Sequence, residues 1–212
     1  KAKRVRRPSK PQAVKKELVK LGKRAANLGN RRRKPHIVRA RAGCRGLVLG
    51  QAPPAPRNDL PKGWKPLAGP AEQRLAKLAG MEISEFWKCF DRANLLSWYP
   101  GLKARASKHD VKKGYRKHTS DGDIFPAADA KLAAASTDLS PYRSVILLGN
   151  NVAKAFGVKA KLLEAEARGK TSLLTFPHPS GVSHFWNEPK NVKRASKVLK
   201  FALADMKAKR SK

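Results

Sequence analysis

Thr171-Ser172-Leu173-Leu174-Thr175-Phe176-Pro177-His178-Pro179-Ser180-Gly181-Val182-Ser183-His184 begins as an apolar run and ends in a polar loop stiffened by two prolines. The run reads as a buried strand over 172–176, too short for a helix and stopped by residues that fix or free the backbone. In a sheet of parallel strands, such an end opens into the crevice where α/β folds place their ligands. His178, at the head of the loop, is the first candidate for a functional side chain.

Upstream of this loop, Ser144-Val145-Ile146-Leu147-Leu148 is the clearest strand in the chain, and Gly149-Asn150 turns it into a helix over 151–156. No Gly-x-Gly-x-x-Gly is present there, so that turn reads as the start of a helix and not as a phosphate cradle. A further helix is predicted over 160–167. Downstream, Pro189 starts a long helix in which Val192, Ala195, Leu199, Ala202 and Met206 recur at steps of 3, 4, 3 and 4. Its Lys193, Arg194, Lys197 and Lys200 fall largely off that stripe.

Toward the N-terminus, Gly46-Leu47-Val48-Leu49 is a short buried strand stopped by Gly50-Gln51-Ala52-Pro53-Pro54. Pro- and Gly-rich loop follows to Gly69. Helices are predicted over 70–79, with Leu75 and Leu78 in the core, and over 84–90, with Ser84 as N-cap. Residues 93–96 give a second strand, 102–118 a basic surface loop, and 123–135 another helix. Four strands alternating with helices predict an α/β fold, a three-layer α/β/α sandwich around a mostly parallel four-stranded sheet. Polar residues then sit at consistent places: Gln51 beyond the first strand, Asn94 at the second, Asn150 beyond the third, His178 beyond the fourth.

The charge points to a partner. Lys and Arg number 48 against 15 Asp and Glu, a net +33 over 212 residues, while 41% apolar composition supplies a real core. Charge of one sign at that density repels itself until a polyanion neutralises it, so nucleic acid is the expected partner. A membrane surface fits less well: no basic helix carries a clean apolar face of aromatics, and no run of about 18 apolar residues spans a bilayer. Residues 1–45 hold 18 Lys and Arg against one acid, Glu17, a net +17. Among them Arg4, Arg6, Arg7, Arg31, Arg32, Arg33 and Lys34 form candidate phosphate-binding clusters on either side of a short helix predicted over 12–26. The expected organisation is a basic RNA-binding extension over 1–45, a folded domain over 46–204 and a basic tail over 205–212. The two cysteines, Cys44 and Cys89, read as reduced thiols. The sequence starts at Lys1, which fits removal of a targeting peptide and equally fits a trimmed or partial chain.

Gly50-Gln51-Ala52-Pro53-Pro54 together with His178-Pro179-Ser180-Gly181-Val182-Ser183 resembles the two signature loops of the uracil-DNA glycosylase superfamily. Pro66-Leu67-Ala68-Gly69, Asn94 and the segment from Val145 to Phe156 extend the resemblance in the family's order, over roughly residues 46–204. The resemblance implies a pocket in which Asn94 hydrogen-bonds the edge of a flipped base and His178 donates to the base oxygen as charge develops there. It places Val182 where the family wedges an apolar side chain into the duplex, and Ser180 and Ser183 near phosphates or the minor groove. Leu67 stands where the family often has a stacking Phe. Gln51 stands where uracil-excising members usually carry a carboxylate or an Asn, and an amide orients water but is no general base. Asp59 and Glu72 are the downstream carboxylates that could substitute. Cys44 and Cys89 do not suffice for the four ligands of the family's iron-sulfur branch, and His178 with His184 lacks a ligand cluster around it, so neither metal nor cofactor is expected.

Two functions follow. One is a structural RNA-binding component of a large ribonucleoprotein, a ribosomal protein in a mitochondrial or other organellar matrix, with rRNA and neighbouring proteins as partners and a glycosylase-like domain that no longer catalyses. The alternative is an active uracil-DNA glycosylase, and the alternative compartment is nucleus or cytoplasm.

Overall fold

The computed structural model describes residues 35–40, 45–54, 63–100, 125–180 and 183–208. The helix expected over 12–26, the arginine clusters before it and after it, the loop over 102–118, Asp59, Cys44 and Val182 lie outside the described residues.

Among the described residues, five strands form one sheet. β1 (Gly46–Gly50), β2 (Phe90–Asn94), β3 (Ser144–Leu148) and β5 (Thr171–Phe176) run parallel, and β4 (Ala165–Arg168) pairs antiparallel with β5 at the edge. The order is β2-β1-β3-β5-β4. The helices are α1 (Pro70–Ala79), α2 (Ile83–Cys89), α3 (Ala127–Ala135), α4 (Asn150–Ala155) and α5 (Pro189–Ala208), with a 3₁₀ turn at His184–Asn187. Strand alternation sends Val48, Ile146, Leu148, Leu174 and Phe176 to one face, where α1, α2 and α5 cover them. Leu47, Leu49, Val145, Leu147 and Leu173 face the other way, into a core shared with α3 and α4. A sheet buried on both faces explains why its strands read as continuous apolar runs.

The sheet has five strands where the sequence predicts four, and the helix predicted over 160–167 does not form. Ala, Leu, Lys and Glu make that segment look helical, yet its Ala165, Glu166 and Ala167 form β4 together with Arg168. A two-residue turn, Gly169-Lys170 with Gly169 at φ 61°, folds β4 onto β5. Edge pairing overrides propensity here. The second strand begins at Phe90, earlier than the 93–96 predicted, because charged residues disguise it. Asp91 is 3% exposed and accepts from Tyr142 Oη at 2.7 Å and from the Ala40 amide. Arg92 is held by Glu72 at 3.0 Å and lies over the Trp87 ring. Leu95 and Leu96 still donate to the carbonyls of Gly50 and Gln51, so pairing outlasts the strand.

Helix limits follow their local chemistry. In α1, Pro70 occupies the first turn, Glu72 accepts from the Gly69 amide at 2.9 Å, and Gly80 closes the helix at φ 68°. The bonds Gly80 N–H to Lys77 O and Met81 N–H to Ala76 O complete that left-handed cap. α2 starts at Ile83 with Glu82 before it and no side-chain cap, so Ser84 lies inside the helix and not at its N-cap. α3 starts only after Pro126, since a residue preceding proline is kept out of helical geometry. Residues 35–40, part of the basic extension by sequence, lie along the free edge of β2, where Val38 and Arg92 exchange two backbone bonds at 2.9 and 3.0 Å. No helix of the described residues is long and apolar enough to cross a membrane.

Candidate functional site

β1 crosses over to β2 on one side and β2 returns to β3 on the other, so the direction of strand order reverses between β1 and β3. The carboxyl ends of strands flanking such a reversal bound a crevice. Gly50-Gln51 leaves β1 there, Gly149-Asn150 leaves β3, and Pro177-His178 leaves β5.

Gly50 is the floor on the β1 side. A Cβ at this position would lie 2.6 Å from Asn94 Oδ1 and 2.6 Å from Leu67 Cδ2, so only glycine lets both side chains come so close. Asn94, at the end of β2, is 6% exposed. Leu67 is 8% exposed and has φ 66°, a left-handed backbone that costs a branched residue about 1–2 kcal/mol. Its surroundings hold it there: the side chain belongs to the core that α1 and α5 build on the sheet. Next to them, Gln51 Oε1 accepts from Asn151 Nδ2 at 3.3 Å, joining the ends of β1 and β3.

Across the crevice, the His178 ring is exposed, and its Cβ lies 3.6 Å from where Gly149 would carry one. Its Nδ1 accepts from the Ser180 amide at 3.3 Å, which puts the proton of a neutral ring on Nε2. The loop is clamped from beneath. Arg74, on α1, donates through Nη1 to the carbonyls of Pro179 at 3.0 Å and Ser180 at 2.9 Å, and its guanidinium lies 5.2 Å from the centre of the Trp186 ring. Trp186 Nε1 in turn donates to the His178 carbonyl at 2.8 Å. Trp186 also meets Phe176 and Phe185, so its role is packing under the loop.

No protein-family model and no curated protein matches this chain.

Of the residues that the sequence singles out, Leu67 and Asn94 meet over Gly50 with Gln51 next in the chain, while His178 stands beyond β5, beside Gly149 at the end of β3. Ser180 and Ser183 lie on the same loop, half-buried, with the Ser183 amide donating to the Ser180 carbonyl. Lys193 and Arg194 are exposed on α5, away from its buried stripe. Glu72 does not serve as a base in the crevice. Its Oε1 is taken by the Gly69 amide and its Oε2 by Trp87 Nε1 and Arg92 Nη1, both at 3.0 Å, in an ion pair at the α1–β2 junction. Among the described residues no group of three or more His, Cys, Asp or Glu could hold a metal. Arg74 escaped sequence reasoning because a lone Arg on a predicted helix looks like solvated surface. Asn151 escaped because Asn150 took its place as the residue beyond the strand. The assembled groups are amides and an imidazole: they can orient a polar ligand or a water and donate one proton, but Gln51 and Asn151 offer no base.

Proposed function

We propose that this chain is a structural RNA-binding component of a large ribonucleoprotein, a ribosomal protein of a mitochondrial or other organelle, built on a uracil-DNA glycosylase-like domain without glycosylase activity. The observation that carries this reading is the net charge of +33, which a folded domain does not need and a polyanion neutralises. The fold and crevice agree with it in kind. A parallel core of four strands, with Gln51, Asn94 and His178 at strand ends and Leu67 packed over Gly50, fits the family resemblance. A neutral Gln51 tied to Asn151, and a Glu72 held in an ion pair, fit the loss of chemistry. In this reading residues 1–45 and 205–212 contact rRNA and the domain between them also meets neighbouring proteins. The full chain is expected to co-sediment with ribosomal particles through a moderate-salt gradient; recovery only at the top, as free protein, would sink the proposal.

One observation favours a second reading, active uracil excision. With Nδ1 accepting from the Ser180 amide, a neutral His178 ring carries its N–H on Nε2, the kind of hydrogen-bond donor that stabilises charge developing on a base oxygen. Abasic-site formation on uracil-containing single- and double-stranded oligonucleotides decides between them. Cleavage no greater than that of His178→Ala ends the second reading. Activity that appears only on Gln51→Asp would support ancestry and exclude present catalysis.

A further inference from the structure

We infer that the outer face of α5 is a second RNA-binding surface, one that holds an unpaired stretch of RNA by phosphate contacts and by stacking a base on Phe201. The inference rests on the ribonucleoprotein reading and adds a surface, a strand state and a contact residue to it. Lys190, Lys193, Arg194, Lys197, Lys200, Phe201 and Ala204 are all exposed or border the exposed face of the helix. At 3.6 residues per turn they fall on one arc of about 120°. Five of the seven are cations and none is acidic.

This arrangement works against the helix that carries it. Lys190 sits in the first turn, where the helix dipole disfavours positive charge, and Lys190–Arg194 and Lys193–Lys197 are like-charge pairs at i,i+4. Lys200 alone has a compensating place: its Nζ lies 3.4 Å from the Cβ position of Gly80, at the C-terminal end of α1, where a cation is favoured. A row of cations so placed is complementary to a row of phosphates. Phe201 adds what phosphate binding alone does not use. It is 75% exposed, against 49% for Leu132 and 37% for Ile83, the other large apolar side chains exposed among the described residues. It follows Lys197 by one turn on the stripe Lys190, Arg194, Lys197, Phe201. Cations in line with a bare aromatic ring are the means by which proteins hold single-stranded nucleic acid, whose bases are free to stack. A duplex offers Phe201 no base face.

The test uses the full chain and a fluorescein-labelled 20-nucleotide oligouridine, titrated at several salt concentrations, with the same length of RNA duplex as comparison. Arg194→Glu with Lys197→Glu is expected to weaken binding and to flatten the plot of log affinity against log salt by about 1.4, roughly 0.7 for each phosphate no longer neutralised. Phe201→Ala is expected to cost about tenfold on the single strand and little on the duplex, with the salt slope unchanged, and Phe201→Trp to restore binding. All three substituted positions are exposed, and unchanged thermal melting verifies that each variant folds. Wild-type affinity and slope in the charge-reversed variant overturns the inference alone, leaving RNA binding to the rest of the chain. An equal loss on single strand and duplex with Phe201→Ala overturns the stacking. A wild-type chain that binds neither RNA overturns the inference and the ribonucleoprotein reading together. Cross-links from this face to protein and not to RNA in isolated particles would assign it to a protein neighbour instead, and so overturn it.

Discussion

At the scale of single residues, two positions near the crevice make opposite predictions about stability. Thr175 is 1% exposed, and its hydroxyl oxygen is buried without a hydrogen-bond partner among the described residues. Thr175→Val removes that unsatisfied group at nearly constant volume and is expected to stabilise the protein by about 1 kcal/mol, read as a higher denaturation midpoint with an unchanged slope. Gly50 lies at the other extreme. Gly50→Ala drives a methyl into Asn94 and Leu67, neither of which can retreat from the buried core, and should cost about 1–3 kcal/mol in the same measurement. Glycine at 50 reads from sequence only as a turn residue. What the structure adds is the reason: two side chains from distant segments meet above its α-carbon.

Between residues and the whole lie the elements, and here legibility was uneven for physical reasons. β1, β3, β5 and α5 are plain in the sequence, since strands buried on both faces and a helix with a 3-4 stripe leave strong patterns. β2 hides behind Asp91 and Arg92, because a charge satisfied by a distant tyrosine or glutamate looks the same in sequence as a solvated one. β4 is hidden by its composition, and only its hairpin partner makes it a strand. Of the site, Gln51, Leu67, Asn94 and His178 were legible through the loops and strand ends they punctuate, whereas the Arg74 clamp depends on α1 lying beneath the loop of β5. Arg74→Lys keeps the charge but loses the planar guanidinium that bonds two carbonyls and stacks on Trp186. It is expected to speed amide exchange at Ser180 and Ser183 without lowering protection in β1 or β3. At the sheet edge, the Lys159 amide and the Arg168 guanidinium hold the Glu166 carboxyl below its usual 4.5. A depressed carboxylate contributes stability above its unfolded value and loses it as pH falls through the folded one. Glu166→Gln should therefore lower stability slightly at neutral pH, with the difference from the wild type closing as pH falls below about 4.5, as pH-dependent denaturation would show.

For the molecule as a whole, the balance of charge sets the response to solvent. At +33, repulsion between like charges outweighs a handful of ion pairs, four among the described residues, of which Glu72–Arg92 is the most shielded. Added salt screens the repulsion more than it weakens a shielded pair, so the melting temperature at pH 7 is expected to rise from low to moderate ionic strength. A fall over that range would mean that the ion pairs govern stability. Composition made this legible from the start; it could not reveal how the charged segments are attached. The strip along β2 supplies that. Because residues 36–40 run antiparallel to β2, tension on the upstream chain along the strand direction loads both Val38–Arg92 bonds at once, while a sideways pull peels them singly. Asp91, gripping the Ala40 amide and fixed in turn by Tyr142, is the rivet behind that seam. A pull applied upstream of residue 35 would thus reach the rim of the sheet at β2, far along the strand order from the β4 hairpin, and meet a resistance that depends on direction.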